Sequence, residues 1–172
     1  METKQWTLDA AHSELRFKVK HMMISNVTGN ISGLSAQLDT TPDFDQGSIS
    51  LSAESQTLHT GSPKRDEHLK SPEFFDAAQF PTLTFEGKNF KISDGKVQGT
   101  LTMKGVTKPV ALQVEFNGQN KDPWGNEKAG FSIQGKINRK DWGLSWNAAL
   151  ETGGVMVSEE VKIEAELQFV KK

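Results

Sequence analysis

Apolar and polar residues alternate with a period of two through most of this chain. The clearest run is Val161, Ile163, Ala165, Leu167 and Phe169, set against Lys162, Glu164, Glu166 and Gln168. Such alternation gives an extended segment one apolar and one polar face, the mark of a half-buried strand. Leu15, Phe17 and Val19 alternate with Arg16, Lys18 and Lys20 in the same way, as do Ile49, Leu51 and Ala53 with Ser50, Ser52 and Glu54. The pattern recurs in Val97–Met103, Val110–Phe116 and Phe131–Ile137. Two runs change phase. Val27, Gly29, Ile31 and Gly33 are odd, then Leu34, Ala36 and Leu38 are even, which predicts a bulge at Gly33. Leu83, Phe85 and Gly87 similarly give way to Phe90 and Ile92 across Lys88-Asn89. The pattern as a whole predicts eight strands, over 13–21, 27–39, 48–57, 82–92, 96–104, 107–117, 129–139 and 159–170.

The exception is a short helical insertion at about 62–79. Ser62-Pro63 reads as an N-cap followed by proline in the first helical position, opening a helix through Lys70, and Ser71-Pro72 repeats the signal. Short turns join most of the strands, which favours antiparallel neighbours. With no repeat, linker or low-complexity tract, residues 1–172 read as a single domain.

An antiparallel sheet with one apolar face must cover it, and one short insertion cannot. Long strands favour closure over a sandwich, so the expected fold is all-β: an eight-stranded antiparallel barrel. Its lumen either packs solid or holds one small guest. Gly29, Gly33, Gly87, Gly99 and Gly135 all fall on the apolar phase. They mark bulges and close packing, or they leave lumen volume beside Phe17, Phe85, Phe131 and Met103. In the second case the slot is apolar and elongated and suits a long chain. Phe74, Phe75 and Phe80 form an aromatic cluster on the insertion, a plug for one barrel end or a lid over it.

Composition narrows the chemistry. The chain has 15 Gly, 10 Phe and 4 Trp but neither Tyr nor Cys. Without cysteine there is no disulfide, thiol nucleophile or thiolate metal site. The net charge of −2 comes from well-mixed groups, so the basic face of a nucleic-acid protein is missing. No apolar run is long enough for a transmembrane helix. His12, His21, His59 and His68 show no metal-ligand spacing, and no Gly-x-Ser-x-Gly elbow occurs. Arg65, Asp66, and Arg139 with Asp141 read as ion pairs that fix loops, or Arg65 and a histidine meet a polar head group. No metal, no cofactor and no catalytic residue is therefore predicted.

Four blocks stand out: Trp6-x-Leu8-Asp9-x-x-His12-Ser13-x-Leu15-x-Phe17-x-Val19-x-His21, Arg65-Asp66-x-His68-Leu69-x-Ser71-x-x-Phe74-Phe75-Asp76 with Phe80-Pro81, Gly99-x-Leu101-Thr102-x-x-Gly105-Val106-Thr107-Lys108-Pro109-Val110, and Arg139-x-Asp141-Trp142-Gly143. Together they resemble the YceI-like family of lipid-binding proteins. They span nearly the whole chain. The resemblance implies a lipocalin-like barrel that binds a polyisoprenoid, a quinone-like lipid or another long-chain amphiphile without catalysis. It also implies pairing as a homodimer and a role in lipid transport or stress response. A chain that begins directly at the domain is expected to be cytoplasmic; a chain trimmed of a leader would be periplasmic.

The expected ligand-binding residues on the early strands and insertion are Phe17, Val19, Ile31, Leu34, Leu51, Phe74, Phe75 and Phe80. Those on the later strands are Phe85, Leu101, Met103, Leu112, Phe131, Ile133, Trp142 and Ile163. Arg65, His68 and His21 are the expected head-group contacts. Two other readings remain. One is an enzyme acting on such a lipid, which needs His12, His21 or His68 to meet Asp66 or Arg65. The other is a structural or carbohydrate-binding module, which an exposed Trp124 or Trp146 would favour.

Overall fold

The computed structural model describes residues 3–147 and 156–172. Eleven strands lie in one antiparallel sheet: β1 Lys4–Leu8, β2 Glu14–His21, β3 Ser25–Ile31, β4 Leu34–Thr40, β5 Gln46–Glu54, β6 Leu58–His59, β7 Thr82–Lys91, β8 Lys96–Met103, β9 Val106–Lys121, β10 Glu127–Asn138 and β11 Glu160–Lys171. The ring runs β1-β4-β5-β7-β8-β9-β10-β11 and closes because β1 also pairs with β11. It is a closed eight-stranded antiparallel barrel with one short helix, α1 Pro63–Lys70. The Ser62 Oγ accepts from the Arg65 amide at 3.4 Å, and Pro63 occupies the first turn. The repeat of that signal at Ser71-Pro72 does not open a second helix. Residues 71–79 form successive turns instead, tied back by Phe75 N–H to the Leu69 carbonyl and Ala77 N–H to the Lys70 carbonyl, both 2.9 Å.

Three staves of the barrel are broken at one level. β1 and β2 share β11 as partner, β1 with Phe169–Lys171 and β2 with Lys162–Glu166. The corner between them is built by Asp9, His12 and Ser13. The Asp9 carboxylate takes the Lys128 ammonium at 2.7 Å and His12 Nδ1 at 2.8 Å. The Ser13 hydroxyl donates to the Asp9 carbonyl at 2.8 Å and accepts from the Gln168 amide at 3.0 Å. The second stave, expected as one strand with a bulge at Gly33, is instead two. β3 pairs with β2 and β6, β4 with β1 and β5, and the apolar phase flips between them. A full break rather than a bulge follows from the neighbouring break at 55–57. There the Glu54 amide bonds the Gly33 carbonyl at 2.8 Å and Thr57 Oγ1 accepts from the Gly33 amide at 2.9 Å. The phase change in β7 is a bulge, with a register shift opposite Gly47 and Asn89 at φ 52°.

The breaks divide the barrel into two halves. Below them the cavity in the lumen ends on a floor, with Leu38, Phe131, Leu167 and Phe169 at its edge. Trp6, Leu38, Phe131, Leu167 and Phe169 are buried there, and the Trp6 indole donates to Thr40 Oγ1 at 3.1 Å. Phe44, from the turn between β4 and β5, enters this floor. Its ring stacks on Phe116 at 4.7 Å and lies 5.1 Å from Trp6. Above the breaks no ladder joins β6 to β7 among the described residues. α1 and the 71–81 segment follow β6 there and lead into β7.

Candidate functional site

The barrel lumen holds a cavity of about 330 Å³ that runs from the α1 end past the breaks to Leu38, Phe90 and Phe169, within the roughly 300–1,000 Å³ usual for ligand pockets. Inward residues of every long strand line it, and the lining is almost wholly apolar. Leu15, Phe17, Val19, Leu51, Leu101, Leu112, Ile133 and Ile163 face it yet are only half-buried. These are core-type side chains on the inner face of a closed barrel that the protein itself does not finish covering. The polar side chains of the lining are Arg16, Lys20, His21, Arg65, His68, Thr84 and Arg139, and His21, His68 and Arg139 are brought to one end by Val157 and Phe74.

Of the residues expected from sequence, Phe17, Val19, Ile31, Leu51, Phe74, Phe75, Phe85, Leu101, Met103, Leu112, Phe131, Ile133 and Ile163 line the cavity. So do His21, Arg65 and His68. Leu34, Phe80 and Trp142 lie outside the lining. Leu34 follows the Gly33 break and is buried in the core. Phe80 lies over Gly105, where a β-carbon would sit 2.8 Å from its ring. Trp142 is buried in the wall with its indole N–H on the Leu101 carbonyl at 2.9 Å.

The inward glycines do not supply the cavity. A β-carbon at Gly29 would fall 2.2 Å from the Phe17 ring, at Gly135 2.4 Å from Leu112 and at Gly87 2.8 Å from Val97. Neighbouring side chains already lie over these positions, so glycine here permits close packing. The empty space lies between the inward side chains of the long strands. Val27, Val110, Leu144, Trp146 and Val157 line the cavity as well. Val27 and Val110 carried the same alternating signal. Leu144, Trp146 and Val157 lie outside the long strands, where no periodicity marks them.

The mouth is fixed by polar contacts. Arg65 Nε donates to Thr60 Oγ1, and an Arg65 terminal N–H donates to the Thr60 carbonyl, both at 2.7 Å. Asp66 accepts from the same Thr60 amide and hydroxyl at 2.8 and 2.6 Å. These two side chains clamp α1 to the end of β6. His68 Nε2 lies 2.5 Å from Glu73 Oε2, and its ring meets Phe74 and Trp146 edge-on at 5.0 Å. His12 is on the Asp9 corner instead. Among the described contacts none of the three histidines meets Asp66 or Arg65, so that particular pairing is not assembled.

Arg139 departs most from expectation. It does not pair with Asp141, which is exposed. Its guanidinium is buried and donates to the carbonyls of Leu144, Ser158 and Val157 at 2.5, 2.8 and 3.3 Å. Burial lowers its pKa, partly offset by the charge of Glu159. It ties the turn at 139–144 to the chain entering β11, and its cation lies 5.9 Å from the Phe74 ring centroid. Among the described residues no cluster of acidic and histidine side chains suits a metal ion. No described helix is long and apolar enough to cross a membrane. Trp124 stands exposed at the β9–β10 turn, with no second exposed aromatic among the described residues, whereas Trp146 is at the cavity.

Comparison with known proteins gives this geometry a context. The YceI-like domain matches residues 6–169. The UPF0312 protein SA2479 of Staphylococcus aureus strain N315 is 39% identical over 166 residues, covering 95% of this chain and 96% of that relative. The crystal structure of the Campylobacter jejuni YCEI protein superimposes with a TM-score of 0.77 at 34% identity, covering 90% of this chain and 91% of that one. Burkholderia cenocepacia BcnA shares the fold with a TM-score of 0.79 at 23% identity, over 94% and 98% of the two chains. A polyisoprenoid binding domain from Saccharophagus degradans, implicated in plant cell wall breakdown, shares it with a TM-score of 0.71 at 16% identity, over 97% and 98%.

Proposed function

The chain belongs to the YceI-like domain family, and from that premise we propose that it holds the apolar chain of an isoprenoid or similar long amphiphile in the upper lumen, as a non-catalytic carrier or store. One observation carries the reading: apolar side chains around the upper cavity are left half-exposed inside a closed barrel. Covering them is favourable by about 0.8 kcal/mol per guest CH₂ before ordering costs. A guest chain therefore completes the core that the strands leave unfinished. The name of the Saccharophagus domain, which shares this fold, points to the same ligand class.

The guest's tail lies against Phe17, Leu101, Leu112 and Ile133, and its head stays near His21, Arg65 and His68. The direction follows from His21, His68 and Arg139, which meet the lining at that end. A floor sealed by Phe44, Phe116 and Phe131 limits how deep the tail reaches. Mass spectrometry of an organic extract of natively purified protein tests the proposal. A stoichiometric prenyl or long acyl species is expected, and rebinding of that species by stripped protein should follow. A protein that yields no lipid and binds none when offered prenyl alcohols, quinones and fatty amides refutes it. The same reading includes pairing of two copies and action in the cytoplasm, which light scattering and cell fractionation address directly.

A further inference from the structure

A lipid carrier must also meet a lipid source, and the rim of this cavity carries an unusual feature. Among the described residues the exposed large hydrophobics are Met22, Met23, Ile24 and Trp124. Three of the four are consecutive, at 42%, 52% and 84% exposure, on the turn between β2 and β3. That turn is where the cavity ends. Val19, Lys20 and His21 line the cavity immediately before it. The Met22 amide bonds the carbonyl of Met156, itself a lining residue, at 2.7 Å.

The turn is also held in an unfavourable backbone. Met22 has φ 53° and Met23 φ 64°, with the Ile24 amide closing back on the His21 carbonyl at 3.2 Å. Two central residues at positive φ are the requirement of a type I′ hairpin turn, where Asn and Gly are favoured. Here two unbranched apolar side chains occupy those positions and point into water. Scattered single hydrophobics on a surface need no explanation, but three together on a strained tip do.

Around the tip the described side chains are mainly cationic. No Asp or Glu occurs between Glu14 and Asp39, while Arg16, Lys18 and Lys20 lie on β2. The acids on neighbouring β11 and before it are engaged: Glu164 with Arg16 and Lys18, Glu160 with Lys136 and Glu159 with Lys140. Lys20 has no carboxylate partner among the described residues, and Arg65 adds a guanidinium across the mouth, bonded only to Thr60 there.

We propose that the Met22-Met23-Ile24 tip inserts into the surface of an anionic bilayer, with Lys20, His21 and Arg65 meeting its phosphates, so that the cavity mouth faces the membrane. Apolar side chains backed by cations are the general recipe for a reversible interfacial anchor. The tip is a narrow projection of three residues, far short of the roughly 800 Å² per partner of a stable protein interface, which disfavours a second copy as its cover. The source rests on the lipid-carrying reading above, but its test does not.

Full-length protein is mixed with vesicles of phosphatidylglycerol and phosphatidylcholine in equal parts, or of phosphatidylcholine alone, and pelleted. Binding to the mixed vesicles that weakens as salt is raised is expected. The Met22→Ser/Met23→Ser/Ile24→Ser variant should lose about tenfold or more of that partition, and Lys20→Gln several-fold of it, with the melting temperature unchanged. Co-purified lipid is measured on the same samples. Protein that carries lipid but ignores both vesicle types overturns the tip proposal alone. Equal binding by the triple variant overturns it too, as does conversion of a dimer to a monomer by that variant, which would make the tip a subunit contact. Vesicle binding by the tip in protein that carries no lipid supports it and counts only against the lumen reading.

Discussion

Phe44 offers the sharpest test of how the barrel is divided. It lies in the turn between β4 and β5, outside every strand, with φ 59°, yet its side chain is buried. The ring stacks on Phe116 at 4.7 Å with 17° between planes, and sits 5.1 Å from Trp6 and 6.4 Å from Phe131. Phe131 in turn lines the cavity. Phe44→Ala removes the ring from beneath the lumen floor without touching a ladder hydrogen bond. Truncating a buried phenylalanine costs about 3–5 kcal/mol, the spread depending on how far neighbours relax. For a domain of this size each kcal/mol shifts the midpoint by roughly 2–4 °C. The melting temperature of lipid-stripped protein should therefore fall by about 6–20 °C, read by circular dichroism or calorimetry. Native mass spectrometry of the variant should also show longer guests than the unaltered protein takes, because the freed volume extends the tail end of the slot. A fall of less than about 3 °C would refute the assignment of this ring as the floor. Unchanged stability would mean that the lower half is not the packed foundation described above.

The upper wall should respond in the opposite way. Ile133→Gln places an amide in a lumen already open to solvent, so stability should change by about 1 kcal/mol or less, while co-purified lipid drops several-fold. Arg139→Lys replaces three spread guanidinium nitrogens, each on its own carbonyl, with a single ammonium nitrogen. A hydrogen bond to a charged group is worth about 1.5–3 kcal/mol, so urea denaturation should show a loss of at least that size. The carboxyl of Asp9 is held below its ordinary value, first by the hydrogen bond from Lys128 and then by His12. A depressed folded pKa adds stability above the unfolded value, and that stability is lost as pH falls through the folded one. Asp9→Asn should therefore lower the midpoint at neutral pH, and the gap from the unaltered protein should close as the solution passes below the usual carboxylate range. Trp124→Ser should leave stability within about 0.5 kcal/mol and lipid content intact; a loss of polysaccharide retention in that variant would instead revive a sugar-stacking role.

The motifs that carry the family resemblance turn out to be largely architectural. Asp9, His12 and Ser13 turn the corner that lets one strand pair at two levels. Arg65 and Asp66 clamp α1 through Thr60. Arg139 and Trp142 bind carbonyls that would otherwise be buried without donors. Polar side chains at such points satisfy backbone groups freed where strands break. The ligand is left to the apolar positions between them.

Strand existence, the faces of those strands, the helix cap at Ser62 and the all-β barrel were legible in the sequence, because alternation and capping are local and repeat within a few residues. Most cavity-lining positions followed from the same phase. The closing strand at Lys4–Leu8 was not, since Trp6 and Leu8 alone make too short a pattern, and its role depends on two partners far along the chain. Nor was the break at Gly33, which reads as a phase slip and becomes a strand end only beside the break at 55–57. The glycines looked like emptied volume, yet whether a missing side chain leaves space depends on what leans over it from the next strand. Phe17 over Gly29 and Leu112 over Gly135 settle that, and no single segment contains the answer. Periodicity sets which face of a strand is apolar. Only closure of the ring decides which of those faces meet a packed floor and which meet an open slot, because the space between inward side chains is a property of all the strands together.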